Sequence, residues 1–184
     1  MELIFVTGNI EKLREVADIL GKDFNISGKV IDLPEIQDLD AEKIVFNKAQ
    51  SAFDLINKPI IVEDTSLYIK GWNGLPGPFN KWFMRTVGNE GIIKMLSGYN
   101  DRSALAETIF AYHDTKEIKI FKGIVKGSIS DTIRGEGGFG WDKIFIPDGL
   151  EKTQAELSSS KKNKISARKR ALEKLKAYLL KNEK

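Results

Sequence analysis

The sequence predicts a mixed α/β fold, and two observations support this prediction. Short apolar runs typical of strands alternate along the chain with segments whose apolar residues recur at helical spacing. No internal repeat or long linker separates them. The chain has 184 residues, of which 41% are hydrophobic and 30% charged, and this suits one folded domain. We therefore predict a single domain over residues 1–184, with a mixed sheet in two lobes, surrounding helices and a groove between the lobes.

The first half of the chain alternates strand and helix. Leu3–Val6 is a short apolar run, and the apolar residues of the next segment follow helical spacing until Gly21, a residue typical of helix ends. Strands are predicted at 3–6, 24–31 and 60–62, and helices at 10–20 and 40–57. The third strand is predicted to end where Glu63-Asp64 begins.

The second half begins with a glycine- and proline-rich loop. Two alternating segments in its middle predict an antiparallel ribbon. The predicted elements are a loop at 71–78, helices at 79–87 and 89–96, strands at 103–112 and 118–129, a glycine loop at 135–140, a strand at 143–146 and a closing helix at 161–180.

The composition excludes several classes of chemistry. The absence of cysteine rules out disulfides, thiolate catalysis, zinc fingers and iron–sulfur clusters. His113, the single histidine, is interpreted as a solvated residue at a strand end, so acid–base chemistry must come from other side chains. No stretch approaches the ~20 apolar residues of a membrane span, and the start lacks the basic region of a signal peptide. We expect a cytoplasmic protein with no membrane partner.

The charge is unevenly distributed along the chain. Residues 161–184 carry 10 basic and 2 acidic residues, whereas the rest carries 19 basic and 24 acidic residues. Such a segment could bind nucleic acid or a phosphorylated small molecule, or form the solvated face of an amphipathic helix. Lysine outnumbers arginine 23 to 6, which is unusual for proteins that read duplexes with arginine forks, and we expect no nucleic-acid partner.

Gly135–Gly140 matches the pattern G-x-G-x-x-G. A dinucleotide-binding fingerprint would need a helix after it, but the sequence that follows resembles a strand. We interpret the segment instead as a flexible frame on which Phe139 and Trp141 form a platform for stacking a flat ring.

Thr7-Gly8-Asn9 leaves the first strand and enters a helix that carries Lys12 in its first turn. Backbone amides at a helix N-terminus, beside a hydroxyl group and an ammonium group, suit phosphate oxygens. The alternative is that Asn9 only caps the helix.

Glu63-Asp64 follows an apolar strand. Carboxylates at the carboxyl end of a strand face the crevice where ligands of open α/β sheets bind. Together with Glu35, they could supply oxygen ligands to Mg²⁺, which takes one or two carboxylates plus substrate phosphates. The alternative for Asp64 is a capping role.

In this order, the segments resemble the inosine triphosphate pyrophosphatase family. The matching pieces are Phe5–Asn9 with Lys12, Leu33–Gln37, Val62–Thr65, Gly74–Phe79, Lys81-Trp82-Phe83 and Phe139–Asp142. The resemblance covers the chain from its first strand to its last helix. It implies an elongated two-lobed α/β fold with the nucleotide in the groove, and a homodimer. It also implies Mg²⁺-dependent hydrolysis of ITP, XTP and their deoxy forms to the monophosphate and pyrophosphate.

The resemblance also implies roles for individual residues. Glu35 and Asp64 would bind the metal, and Asp64 would also be the general base. The groups implied for the phosphates are Thr7, Gly8, Asn9, Lys12, Lys48 and Lys81, and those implied for the base and the rest of the substrate are Thr65, Phe139, Gly140, Trp141, Asp142, Lys162, Ala167 and Arg168.

The last helix departs from the family pattern. The family usually has Ser-His-Arg where this chain has Ser166-Ala167-Arg168, so an imidazole that helps to contact the base is missing. We expect weaker discrimination between bases but the same reaction. Two other functions are compatible with the sequence: a nucleotide-binding protein without efficient turnover, and a nucleic-acid-binding module that uses the basic C-terminal helix.

Overall fold

The structure is a computed structural model that describes residues 2–182, with Lys22 described in its backbone only. The two ends of the predicted domain, Met1 and residues 183–184, lie outside the described residues. The elements are β1 (Glu2–Val6), α1 (Ile10–Leu20), β2 (Asn25–Lys29), α2 (Ala41–Ile56), β3 (Ile60–Ile69), β4 (Pro76–Gly77), α3 (Asn80–Thr86), α4 (Gly88–Met95), β5 (Ser103–His113), β6 (Ile118–Ile129), β7 (Phe145–Pro147), α5 (Ser159–Ile165) and α6 (Ala167–Asn182).

The strands form one mixed sheet, in the order β2-β1-β3-β5-β6-β7, with β4 paired to β3. β1 runs parallel to both β2 and β3, whereas β4 and β7 run antiparallel to their partners. β5 and β6 are neighbours joined by a tight turn, in which the amide of Asp114 donates to the carbonyl of Glu117. The predicted mixed α/β class is confirmed, and the predicted groove stays a prediction.

The chain divides into two compact units, each built from segments that are distant in sequence. The first unit comprises residues 2–64, 108–123 and 168–182 of the described chain. Its core has two apolar clusters. One joins α1 and α6 to β1, with Phe5, Val16 and Leu172 fully buried, and the other packs α2 against β3, with Val45 and Ile60 fully buried.

The second unit comprises residues 65–107 and 124–167. One apolar cluster forms its core, with Ile92 of α4 and Leu96 directly after it, Ile144 and Phe145 from the β7 region, and the largely buried ring of Trp141. Helices α3 and α4 follow the predicted bounds closely, because their apolar residues keep helical spacing. No helix among residues 2–182 has the length and apolar character needed to span a membrane.

The predicted closing helix at 161–180 is wrong, because the structure divides it at Ser166. This residue has an extended backbone, with φ of −69° and ψ of 155°, between α5 and α6. Serine with extended backbone geometry is a favoured residue immediately before a helix. The break makes Ala167 and Arg168 the first two residues of α6.

The predicted strand at 143–146 begins later than expected. Gly140–Lys143 forms a 3₁₀ helix, and β7 starts at Phe145. The carboxylate of Asp142 accepts a hydrogen bond from the backbone amide of Phe139 and so stabilises the turn. This local bond outweighs the strand propensity of the apolar residues.

His113 lies at the end of β5, as predicted, but the expectation that it is solvated is wrong. It is 3% exposed, and its ring stacks on Phe53 of α2 with 3.8 Å between ring centroids. Its Nδ1 accepts a hydrogen bond from the amide of Thr115. Burial lowers the pKa of His113, although the charges of Asp114 and Asp54 oppose this shift. The histidine therefore belongs to the packing of the first unit.

Candidate functional site

The first turn of α1 is held by Asn9. Its Oδ1 accepts hydrogen bonds from the amides of Glu11 at 3.0 Å and Lys12 at 3.2 Å, and its own amide donates to the hydroxyl of Thr7. Asparagine is a favoured N-cap because its side chain satisfies helix amides that have no partner within the helix. Asn9 therefore caps the helix, and the cap fixes the turn from which Lys12 projects; the binding of phosphate by this segment stays a prediction.

Glu63 and Asp64 lie in the middle of β3, so the prediction that the strand ends before them is wrong. β3 continues to Ile69 because the residues after the acidic pair keep strand-forming character. The acidic pair nevertheless lies beside a strand end. β1 pairs with β3 at Ile60 and Ile61, and β1 ends at Val6. The relevant carboxyl end is that of β1, which leads directly into Thr7-Gly8-Asn9.

Glu63 is the centre of a buried charge network in the first unit. Its two carboxylate oxygens accept hydrogen bonds from Nε and Nη2 of Arg168, at 2.7 and 2.8 Å, and Oε1 is 2.8 Å from Nζ of Lys12. Nη1 of Arg168 donates to Glu15 of α1. Glu63 and Arg168 are only 4% and 5% exposed. Three segments distant in sequence are thus joined through one carboxylate.

The network keeps Glu63 and Arg168 ionised. Burial by itself raises the pKa of Glu63, but the positive charges of Arg168 and Lys12 outweigh this effect and hold the pKa well below its usual range. Burial by itself lowers the pKa of Arg168, but Glu63 and then Glu15 raise it further above its usual value. Sequence reasoning offered Glu63 as a possible Mg²⁺ ligand, not as the partner of Arg168, and it assigned no role to Glu15. The signal available was Arg168 itself, since a buried arginine needs carboxylate partners.

Asp64 has the opposite electrostatic character from its neighbour Glu63. Burial raises its pKa, the positive charges of Lys12 and Lys48 oppose this shift, and the carboxylates of Glu63 and Glu35 add to it. A carboxylate with a raised pKa in a partly buried position is well suited to accept a proton from water. The pKa of Asp64, the predicted general base, is therefore shifted in the opposite direction from that of Glu63.

Lys48 of α2 connects two of the predicted groups. Its Nζ is 2.5 Å from Oε1 of Glu35 and 3.5 Å from the carbonyl oxygen of Glu63. The structure thus brings together Lys48, Glu35, Asp64 and Lys12, as the sequence predicted. The lysines supply positive charge close to the carboxylates, a pattern that suits phosphate groups.

The carboxylates of Glu35 and Asp64 fit a hard divalent cation that takes its other ligands from water and the substrate. Among residues 2–182, no group of three or more histidine, cysteine, aspartate or glutamate side chains is arranged to hold a metal ion. Glu35 and Asp64 supply two carboxylates whose mutual repulsion a cation would relieve. Mg²⁺ commonly takes one or two carboxylates together with water and phosphate oxygens. Glu63 does not fit this role, because Arg168 and Lys12 already bind both of its oxygens.

The second unit contains the predicted base-recognition loop. The carboxylate of Asp142 accepts from the amide of Phe139 at 2.8 Å and from Nζ of Lys162 at 2.5 Å. Nζ of Lys162 also lies 4.6 Å from the centroid of the Phe139 ring. Phe139 is partly exposed, but Trp141 is 8% exposed and packs in the core. The predicted platform of two rings is therefore wrong for Trp141, and the stacking role of Phe139 stays a prediction.

Three other predicted residues have different surroundings. Thr65 is partly exposed on β3. Lys81 is exposed on α3, with its Nζ 5.8 Å from the centroid of the Trp82 ring. Ala167 is 6% exposed, in the core cluster of the second unit. The roles of these residues in substrate binding stay predictions.

Comparisons with known proteins agree with the geometry. The model of the Ham1 family matches residues 3–178. The chain is 42% identical over 199 residues to the inosine triphosphate pyrophosphatase of Candida albicans (strain WO-1), covering 97% of this chain and 98% of the relative. It is 44% identical to the inosine triphosphate pyrophosphatase of Scheffersomyces stipitis, covering 96% of each chain.

The fold is also similar to that of solved structures. The Ham1 protein of Staphylococcus aureus superposes with a TM-score of 0.83, with 29% identity and complete coverage of both chains. The family match extends over nearly the whole chain and includes both the charge network and the loop 139–142. The chain therefore belongs to the Ham1 family.

Proposed function

We propose that this protein is a pyrophosphate-releasing hydrolase that converts ITP, dITP and XTP to their monophosphates and so removes deaminated purine nucleotides from the nucleotide pool. The observation that carries the proposal is the group of charges in the first unit, where Lys48 binds Glu35 and the carbonyl of Glu63, and the charges of Lys12 and Lys48 act on Asp64. Relatives named inosine triphosphate pyrophosphatase support the substrate class. The resemblance further supports a single catalytic domain over residues 1–184, a homodimer and a cytoplasmic location as parts of the proposal.

The phosphate chain is assigned to cationic and amide groups. A triphosphate carries about four negative charges, which lysines can balance through charge-assisted hydrogen bonds. Lys12 and Lys48 supply these charges in the first unit, and Lys81 is assigned the same role in the second. Backbone amides near Thr7-Gly8-Asn9 lie at the N-terminus of α1, where the helix dipole favours anions.

The reaction needs a base, and Asp64 is the best-suited group. Water attacks the α-phosphorus, a new P–O bond forms, and the bond from this phosphorus to the bridging oxygen of the β-phosphate breaks. Asp64 accepts the proton from the water, and pyrophosphate leaves with the bonding electrons. Glu35 and Asp64 would hold Mg²⁺, which neutralises phosphate charge and polarises the phosphoryl group when bound.

The purine is assigned to the second unit and to Arg168. Phe139 supplies a ring face for stacking, while Gly140, Trp141, Asp142 and Lys162 shape the loop around it. An arginine N–H always donates, so it suits a 6-keto oxygen and not a 6-amino group. Arg168 is 5% exposed and donates through Nε, Nη1 and Nη2 to Glu63 and Glu15, so its assignment to the base rests on the family resemblance alone. Because Ala167 replaces the histidine of the family pattern, we expect ITP to be distinguished from ATP less sharply than in a relative with that histidine.

Pyrophosphate release tests the proposal directly. The protein is incubated with ITP, dITP, XTP, GTP or ATP, with Mg²⁺ or with excess EDTA, and the pyrophosphate released is measured. We expect hydrolysis of ITP, dITP and XTP in Mg²⁺ and a loss of activity in EDTA. Hydrolysis that continues unchanged in EDTA would contradict the metal role of Glu35 and Asp64.

The variant Asp64→Asn tests the role of Asp64 as the general base. We expect turnover of ITP to fall by roughly 10²-fold or more, because the variant keeps the shape but cannot accept the proton. Thermal stability should not fall, since burial disfavours the ionised carboxylate of Asp64 and raises its pKa although the charges of Lys12 and Lys48 oppose this shift. Asp18→Asn, an exposed position on α1, is the matched control and should keep full activity. Near-normal turnover by Asp64→Asn would remove this residue from the mechanism.

A further inference from the structure

Helix α4 reaches the base-recognition loop through one side chain. Asn89, the second residue of α4, donates a hydrogen bond from Nδ2 to the carbonyl oxygen of Gly140 at 3.0 Å. Both residues belong to the second unit. Neither the sequence patterns nor the family resemblance assigned any role to Asn89.

The loop needs such a contact because its own backbone is permissive. Gly135, Gly138 and Gly140 all have positive φ, in the region that glycine adopts readily. Two hydrogen bonds stabilise the turn at 139–144 from within. The carboxylate of Asp142 accepts from the amide of Phe139, and the amide of Ile144 donates to the carbonyl of Trp141. The carbonyl of Gly140 lies between these bonds and is held from α4.

The orientation of the Asn89 amide is dictated by chemistry. Only its NH₂ group can donate to a carbonyl oxygen, so Nδ2 faces Gly140. The other end, Oδ1, is buried and has no hydrogen-bond partner among the protein atoms described. Burying an unpaired carbonyl is unfavourable. The side chain thus keeps its hydrogen bond to Gly140 although burial of its Oδ1 is unfavourable.

The bond to Gly140 also fixes its neighbour. The carbonyl of Gly140 and the amide of Trp141 belong to one planar peptide unit, so holding the oxygen sets the direction of the N–H as well. This peptide lies one residue after Phe139, the partly exposed aromatic residue of the loop. A rotation of the peptide would change the backbone groups beside the ring.

We propose that Asn89 is a positioning residue for purine recognition, which holds the Gly140–Trp141 peptide so that the loop is ordered before the nucleotide binds. The proposal rests on the proposed function, because it assigns the loop 139–142 to the base. Asn89 acts through Gly140 and does not itself touch the substrate. Its removal should therefore weaken binding of the nucleoside part and leave phosphate binding unchanged.

The first experiment needs no nucleotide. Amide hydrogen exchange is measured in the wild type and in Asn89→Asp, which replaces the donor by a carboxylate oxygen that repels the carbonyl. Asn182→Asp is the matched control, because Nδ2 of Asn182 also donates to a backbone carbonyl, that of Tyr178, but within α6. We expect exchange in the segment 139–144 to become several-fold faster in Asn89→Asp only. Unchanged exchange in a folded Asn89→Asp overturns the proposal.

The second experiment separates base binding from phosphate binding. For Asn89→Asp and Asn89→Ala, we expect the Kd of inosine monophosphate and the KM of ITP to rise by roughly fivefold, the effect of one hydrogen bond. The inhibition constant of inorganic triphosphate should stay at the wild-type value, and kcat should change less than KM. Asn89→Ala keeps the test available if the carboxylate prevents folding.

The outcomes distinguish the two proposals. Equal weakening of inorganic triphosphate and inosine monophosphate would indicate a general loosening and overturn the positioning role. Wild-type nucleotide affinity in both folded variants would overturn it as well. A wild-type protein that releases no pyrophosphate from ITP and binds no inosine monophosphate would instead overturn the proposed function, a result obtained before any variant is made.

Discussion

The two units hold their functional groups in different ways. In the first unit, Glu63 is fixed by charge, because Arg168 and Lys12 bind its carboxylate and Glu15 binds the far side of the guanidinium. In the second unit, the loop at 139–142 is fixed by two side-chain hydrogen bonds to its backbone, one from Asn89 and one accepted by Asp142, and by the ion pair between Asp142 and Lys162. Charge holds the first set and backbone capping holds the second.

The difference teaches how each region responds when it is disturbed. Arg168 cannot lose its proton under ordinary conditions, so a missing carboxylate leaves a buried charge without compensation. Lys162 carries its charge on a flexible four-carbon chain that can reorient when its partner is removed, and this limits the cost. Removing one partner of the buried ion pair in the first unit should therefore cost a large free energy of unfolding. Removing one partner of the Asp142–Lys162 pair in the second unit should cost less free energy of unfolding.

The largest expected effect on stability comes from Glu63→Gln. The change keeps the shape but leaves Arg168 and Lys12 without their shared counter-charge, and removal of one partner from a buried ion pair typically costs about 3–5 kcal/mol. Urea unfolding at neutral pH measures the loss. Glu42→Gln on α2, whose partner Lys122 is a surface residue, is the control and should cost less than about 1 kcal/mol.

The pH dependence of unfolding provides an independent check on Glu63. The pKa of Glu63 is lower in the folded protein than in the unfolded chain, so its ionisation stabilises the fold at pH values above the unfolded pKa, about 4.3. This contribution is lost as the pH falls from there through the folded pKa. Glu63→Gln should therefore lose less stability between neutral pH and pH 3 than the wild type. Parallel curves for the two proteins would contradict the assignment.

Asp142→Asn should have a smaller effect on stability, and it tests the contrast between the units. The amide oxygen of asparagine can still accept from the amide of Phe139, so the turn keeps its cap. The lost interaction is the charge pair with Lys162, and we expect a cost of about 1–3 kcal/mol. Urea unfolding of the two variants side by side gives the comparison. A cost for Asp142→Asn equal to that of Glu63→Gln would break the proposed difference.

Local patterns predicted most of the fold. α2 begins and ends within one residue of its predicted bounds, because Asp40 caps its start and Asn57 has the left-handed conformation at its end. The errors occurred where a tertiary or local polar contact overrode propensity. Ser166 divides the closing helix, and the cap from Asp142 replaces the start of a strand with a 3₁₀ helix.

The candidate site was predictable in its chemistry but not in its connections. The family resemblance placed Lys12, Lys48 and Asp64 in one group, and the structure brings them together. The partners of Arg168 could not be read from spacing, because Glu63 is 105 positions away along the chain. Asn89 was likewise undetectable, since its contact with Gly140 spans 51 positions and depends on how α4 packs. Long-range pairing of side chains is set by the tertiary fold.

The smallest expected effect concerns Ala167, which belongs to the second unit although the next residue, Arg168, belongs to the first. Ala167→His restores the imidazole of the family pattern, and we expect the ratio of kcat/KM for ITP to that for ATP to rise roughly fivefold, the effect of one hydrogen bond. Because Ala167 is only 6% exposed, the added ring should also cost about 1–3 kcal/mol of stability through overpacking.

Ala167→Phe is the matched control, since it adds a ring of similar bulk without a donor. It should lose similar stability but leave the nucleotide ratio unchanged. A ratio that rises equally in both variants would assign the gain to shape, and a ratio that moves in neither would place base discrimination in Arg168 and the loop 139–142 alone.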